Sequence, residues 1–284
     1  MMSTTKEQSG AALAGNHGFS LISNEKLLQL YASMVKCRMI EERVRVLSEW
    51  SRFADDGDDT GGREAAAVGV AIDLMPEDTV VFSHRDLVVD FIKGASLESI
   101  IRSLAVRTTI PDPVQLSLAT SAALANKEKK NGKIAVVFCS DGFGSMDFPH
   151  EALTAARYNR LPLLFVLQNT VPPDPENLNA QAVGEEIALM AQACGLPCIA
   201  VDGNDVVAVY RVATEAIAHA RKGNGPTLID CQVERSKIHD PILNMETYLE
   251  RKGLFSEEMK LEAAAAFAKE LDAAIKATAR VSDC

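Results

Sequence analysis

The sequence predicts an α/β fold, a doubly wound, mainly parallel sheet with helices on both faces. Three observations predict it. Short apolar runs alternate with helical patterns from Thr79 to Val233. The runs Ile134 to Phe138 and Leu161 to Leu167 lack polar alternation, as expected of strands buried on both sides. The stretch Lys133 to Thr170 reads strand, glycine turn, helix, strand, a unit whose crossover is right-handed.

The elements follow in order. Residues 1–23 are small, polar and glycine-bearing, lack the apolar core of a signal peptide, and are expected to form a mobile tail. Residues 24–284 are expected to form one domain. Leu27, Leu28, Tyr31, Met34 and Val35 recur at helical spacing and predict a helix over 24–50, capped by Ser23 or Asn24. Residues 51–62 form an acidic loop. Its Asp55, Asp56, Asp58 and Asp59 lack the distal acidic residue of a calcium loop, which favours a solvated segment. Arg63 to Leu74 is a helix of small residues suited to close packing, and Thr79 to Phe82 a short strand. Helices are expected over 87–93, 96–105 and 113–127.

After the central unit, with its helix over 148–158, come a proline-rich irregular segment from Val171, a helix over 181–194 and a strand over 199–201. Asn204 and Asp205 are both suited to cap a helix over 206–222, which Gly223-Asn224-Gly225-Pro226 ends. A buried strand spans 227–233, and helices over 246–252 and 256–280 complete the chain.

The chemistry is expected at the carboxyl end of the first central strand, where open parallel sheets bind ligands. Gly142 and Gly144 admit a close backbone approach, and the helix start beyond them favours negative charge. Asp141 places a carboxylate at the same point. A carboxylate beside a phosphate site makes sense when a cation such as magnesium lies between them; the alternative is that Asp141 caps the turn. His84 and Arg85, just past the preceding strand, suit phosphate binding, although Arg85-Asp86 also reads as a surface ion pair. His150 and Glu151 lie in the first turns of the central helix, near this site; His150 can approach a ligand there, although packing or helix capping is the favoured account. His219, late in its helix, favours the negative end. His17 carries no role.

A net charge of −10 argues against a nucleic-acid binder. The six cysteines show no disulfide framework and no paired zinc spacing, so reduced thiols and a cytoplasmic setting are expected. No apolar run approaches the ~18 residues of a membrane span.

Five segments together resemble one family. LLQLYASMVKCRMIEERV, GGREAAAVGVAIDLMPEDTVVFSHRD, DFPHEALTAARYNRLPLLFVLQN, VDGNDVVAVYRVATEAIAHARKGNGPTLIDC and DPILNMETYLERKGLFSEE are similar to the alpha subunit of the thiamine-diphosphate-dependent, decarboxylating component of 2-oxo acid dehydrogenase complexes. The resemblance implies the thiamin-diphosphate-binding fold and a small 2-oxo acid substrate. It further implies magnesium and thiamine diphosphate held between this chain and a beta-type subunit in a heterotetramer, with a homodimer as the alternative. Carried over by position, Asp141 matches a metal-binding Asp. His84 and Arg85 match a Tyr-Arg pair on the diphosphate, and Gly142 and Phe143 belong to the phosphate-facing turn. Asn169 and Thr170 match an Asn-Asn pair whose second member is a metal ligand.

Departures accompany the likeness. Ser140 replaces a glycine and His84 a tyrosine. Thr170 offers an oxygen on an arm shorter by roughly 1.2 Å. The segment between Val106 and Leu118 lacks a glycine-rich loop, and Ser236-Lys237-Ile238 stands where the family carries a longer loop with an active-site histidine. His239 aligns beyond that loop. Two functions therefore stand within the family reading: a subunit that decarboxylates a 2-oxo acid, or a non-catalytic paralogue that keeps fold and interfaces. A nicotinamide-dependent oxidoreductase is the reading from another class. It lacks the third glycine of its fingerprint and an acidic ribose ligand after the second strand.

Overall fold

A computed structural model of the chain describes residues 22–46, 62–82, 88–105, 112–140, 147–171, 179–234 and 238–282. Five parallel strands form its sheet: β1 (Thr79–Val81), β2 (Ala135–Ser140), β3 (Leu163–Val171), β4 (Cys198–Asp202) and β5 (Thr227–Glu234), in the order β1-β2-β3-β5-β4. Ten helices are described: α1 (Asn24–Val46), α2 (Glu64–Ala71), α3 (Val88–Ile92), α4 (Leu97–Ala105), α5 (Asp112–Lys129), α6 (Asp147–Tyr158), α7 (Asn179–Ala193), α8 (Val206–Arg221), α9 (Pro241–Arg251) and α10 (Glu257–Ser282).

The strand order explains why helices cover both faces. The chain moves across the sheet in one direction from β1 to β2, β3 and β4, and returns from β4 to insert β5. Right-handed crossovers put connections of opposite direction on opposite faces. Accordingly α5, α6 and α7 supply Leu116, Leu153 and Ile187 to one apolar layer with Val137, Phe165 and Leu228. Helix α8 lies on the other side, with α1, α2, α3 and α9, over Val136, Phe138, Val166 and Ile229. Neighbouring residues of one strand thus enter different layers, which is why the strands carry no polar alternation.

Helix α1 buries Leu27, Leu30, Tyr31, Met34, Cys37 and Ile40, a stripe at helical spacing. Ser23 Oγ accepts the Lys26 N–H at 3.2 Å, and Ile22 is already buried against the core. Residues 1–21 of the expected tail, and Trp50 with the acidic loop through residue 61, lie outside the described residues. Helix α2 is buried along its whole length. Its Gly69 meets α8 so closely that a Cβ there would lie 2.7 Å from Val209 Cγ1. Small residues in this helix make that approach possible.

Four expectations need correction. The strand predicted over 161–167 starts at Leu163 and runs on to Val171, because β5 pairs with it as far as Val171 opposite Glu234. Val171, expected in the proline-rich irregular segment, therefore belongs to the strand, and residues 172–178 lie outside the described residues. The helix predicted from 246 starts at Pro241, where Asp240 Oδ1 accepts the N–H groups of Ile242 and Leu243; proline at the first helical position suits that start. Asp205 alone caps α8, accepting from Val207 and Ala208, while Asn204 has a different task described below. Among the described residues no helix is long and apolar enough to cross a membrane.

Candidate active site

The carboxyl ends of three neighbouring strands, β1, β2 and β3, lie along one edge of the sheet. Strand β1 ends at Val81, three positions before His84; β2 ends at Ser140, immediately before Asp141; β3 ends at Val171. Residues 83–87 and 141–146, which include His84, Arg85, Asp141, Gly142 and Phe143, lie outside the described residues. Asn169 and Thr170 are described.

Both belong to the last turn of side-chain alternation in β3. Asn169 is opposite Gln232, and Thr170 opposite Val233, in the register with β5. Alternation sends Asn169 into the layer of Phe165 and Leu167, and Thr170 into that of Leu164 and Val166. Two adjacent predicted residues therefore face opposite sides of the sheet. Gln168, on the Thr170 side, is fully buried, and neither its amide nitrogen nor its oxygen has a hydrogen-bond partner. Asn169 is 2% exposed, and its Oδ1 also has no partner. Unpaired buried polar atoms are rare in folded proteins, and they cluster here at the end of one strand.

Asp230, at 4% exposure, lies beside them on β5. Burial pushes its carboxyl above the ordinary range; hydrogen bonds with Gln232 and Asn169 pull it back, and the charge of Glu185 pushes it further up. Sequence reasoning passed over Asp230. The available signal was a carboxylate inside the otherwise apolar run Leu228-Ile229-Asp230-Cys231.

A second polar group surrounds the start of α2. Arg38 of α1 donates to Glu64 at 2.6 Å and to Asp240 at 2.5 Å, joining three helices. Burial opposes the charge on Arg38, but its two carboxylate partners more than restore it, and its pKa ends above the ordinary value. Glu64 Oε2 also accepts the Gly62 N–H at 2.9 Å. Arg63, which stands where the resembled family usually has glutamine, is 4% exposed.

The short connection after β5 is fastened at both ends. Asn204 Nδ2 donates to the carbonyls of Glu234 at 3.1 Å and His239 at 2.7 Å, and Asn204 Oδ1 accepts the Glu234 N–H at 2.7 Å. His239 Nδ1 lies 2.8 Å from Glu234 Oε1, which ties its ring to this connection. His150 is exposed on α6, so packing does not account for it. Cys194 and Cys198 are free thiols, and among the described residues no group of three or more His, Cys, Asp or Glu could hold a metal.

The chain is 30% identical over 250 residues to the alpha subunit of acetoin:2,6-dichlorophenolindophenol oxidoreductase of Bacillus subtilis, covering 80% of this chain and 75% of that one. The chain belongs to the dehydrogenase E1 component family. The model of that family matches residues 106–240. Within it, the chain is 27% identical to the alpha subunit of the pyruvate dehydrogenase E1 component of Staphylococcus aureus, covering 90% of this chain and 78% of that one. It is 31% identical to the alpha subunit of 3-methyl-2-oxobutanoate dehydrogenase of Mycobacterium tuberculosis, covering 70% of this chain and 64% of that one. In structure this E1-family chain is similar to a transketolase from Campylobacter jejuni. The TM-score is 0.52 at 17% identity, over 91% of this chain and 48% of that one, a likeness of fold.

Proposed function

We propose that the chain is the alpha-type subunit of a thiamine-diphosphate-dependent 2-oxo acid dehydrogenase and decarboxylates a 2-oxo acid together with a beta-type subunit. One observation carries the reading. Three neighbouring parallel strands end at one sheet edge, and the chain runs from them into His84-Arg85, Asp141-Gly142-Phe143 and, within the third, Asn169-Thr170. Ligands of open parallel sheets bind at that edge. The kinship with alpha subunits acting on acetoin, pyruvate and 3-methyl-2-oxobutanoate supports the same reading.

The residues fit the group. Oxygen donors suit magnesium, which takes few protein ligands beside phosphate oxygens. Asn169 keeps an unpaired buried carbonyl oxygen at this edge, and Thr170, at the next position and on the other face of the strand, adds a hydroxyl. In this proposal Asp141 and Thr170 hold magnesium. His84, Arg85 and the turn Gly142-Phe143 hold the diphosphate, with Asn169 beside them. Thiamine diphosphate, when bound, supplies the electron sink that decarboxylation of a 2-oxo acid needs. The chain's own share is to bind, orient and neutralise the charged end of the cofactor. The beta-type subunit completes the pocket and the acid–base groups near the substrate.

Co-expression with a beta-type subunit, followed by calorimetric titration with magnesium thiamine diphosphate, tests the reading. Binding is expected, with turnover of a 2-oxo acid that Asp141→Ala abolishes. Absence of a binding signal at millimolar cofactor overturns it and leaves the non-catalytic paralogue.

A further inference from the structure

Among the described strand residues, Gln168 is the polar side chain buried most completely, at 0% exposure. Neither its Nε2 nor its Oε1 has a hydrogen-bond partner. In register it is opposite Cys231 of β5 and Ser140, the last residue of β2. Ser140 immediately precedes Asp141 in the chain. Alternation turns Gln168 and Thr170 toward the layer of Phe138, Val166, Cys231 and Val233, and Asn169 toward the other layer. Gln168 and Thr170 are therefore the two polar side chains of β3 that share a face at the candidate edge.

The neighbours of Gln168 on this face give no reason for an amide. Val166 comes two positions before it, and Cys231 and Val166 are both fully buried. Burying an amide without partners is unfavourable, and a methionine of similar length fills the same space without that cost. Buried polar groups are almost always paired, so an amide with both ends unpaired points to a partner that the chain does not supply. The glutamine side chain brings two N–H donors and one acceptor oxygen. A diphosphate presents acceptor oxygens, so it engages the donor end.

We infer that Gln168 is a further cofactor-binding residue: its side-chain NH₂ donates to an oxygen of the diphosphate, on the face of β3 that also carries Thr170. The inference rests on the cofactor reading above and adds to it a residue whose amide lowers the stability of the chain and raises its affinity for the ligand. A glutamine that only filled the core has the opposite signature, since its loss costs stability and leaves affinity unchanged.

The test uses the full chain with its beta-type subunit. Affinity for magnesium thiamine diphosphate is measured by calorimetry, and the urea midpoint is measured without cofactor, for wild type, Gln168→Met and Gln168→Glu. Gln168→Met is expected to lose about tenfold in affinity, the size of one hydrogen bond to a charged group, at a urea midpoint equal to or above that of wild type. Gln168→Glu keeps the shape, removes the donors and sets a negative charge against the diphosphate; a loss of about a hundredfold is expected. A folded Gln168→Met that binds as tightly as wild type, or whose urea midpoint falls, overturns the inference. Should Gln168→Met not fold, Gln168→Glu decides in its place, and affinity equal to wild type overturns the inference. A wild type that binds no cofactor sinks the cofactor reading together with this one; a wild type that binds, beside a Gln168→Met that binds equally well, sinks this one alone.

Discussion

Arg221 Nη2 lies 2.5 Å from Asp78 Oδ2, joining the last turn of α8 to the turn that leads into β1. Arg221 Nη1 bonds the other oxygen at 3.1 Å, so the pair is two-pronged. Asp78 has a fully buried side chain and also accepts the N–H groups of Met75 at 2.8 Å and Ile134 at 3.0 Å. One carboxylate thus ties β1, the entry to β2 and α8. Removing one partner of a buried pair strands the other charge, at about 3–5 kcal/mol. Asp78→Asn is expected to lose about that much in urea unfolding. Arg221→Lys is expected to lose a smaller part of that amount, because a lysine keeps the charge but cannot span both oxygens.

Asn204 does for the connection after β5 what Asp78 does for the edge of the sheet. Three hydrogen bonds join it to Glu234 and His239, on either side of residues 235–237. Asn204→Ala leaves a buried N–H and two carbonyls without this partner, each unmade bond costing about 1–3 kcal/mol when water cannot replace it. A drop of about 2–4 kcal/mol in unfolding free energy is expected. Proteolysis between Glu234 and His239 is expected to accelerate before any change elsewhere in the chain. Asn204→Asp is expected to fall close to Ala, since a carboxylate cannot donate to the two carbonyls.

Much of the architecture was legible because burial on both faces leaves a coarse mark. The run at 134–138 contains nothing polar, that at 227–233 carries Leu228, Ile229, Cys231 and Val233 around three polar residues, and the structure has strands there. The end of β3 was not legible for the complementary reason. Gln168-Asn169-Thr170 has the composition of a loop, and pairing of Gln168 with β2 and of all three with β5, some sixty positions away, draws it into the sheet. The early start of α9 was written in Asp240-Pro241, a cap followed by a first-turn proline, and was outweighed by the stronger helical pattern beyond it. At the candidate site, the neighbourhood of strand ends was readable from the order of motifs. The placing of Asp230 near Asn169 was not, since it depends on the register of two strands.

The same carboxyl gives the chain a pH signature. Burial, set against hydrogen bonds with Gln232 and Asn169, holds Asp230 above its ordinary value of 3.8. A carboxyl raised in the folded state binds its proton more tightly there than when unfolded. Its contribution is therefore fully present below pH 3.8 and is lost as pH rises through the folded value. Asp230→Asn has no such proton to lose. The difference in urea midpoint between Asp230→Asn and wild type is expected to move in favour of the variant as pH rises above 3.8. A difference that is flat, or that moves toward wild type, contradicts the raised carboxyl.

The last prediction concerns Thr170, the position where this chain departs from the asparagine of the resembled family. Thr170 is paired with Val233 one position before the end of β3, so its backbone is held by β5 whatever its side chain. An asparagine there keeps the strand and lengthens the oxygen-bearing arm by roughly one bond, about 1.2 Å. Magnesium accepts little distortion of its octahedron, so that reach matters more than the chemical type of the oxygen. Thr170→Asn is expected to tighten magnesium-dependent binding of thiamine diphosphate about tenfold, which is about 1.4 kcal/mol. Calcium tolerates a looser shell, and the gain with calcium in place of magnesium is expected to be smaller. Titration of both variants with each cation checks this. An equal gain with both cations would assign the effect to general polarity rather than to reach, and no gain would remove Thr170 from the metal site.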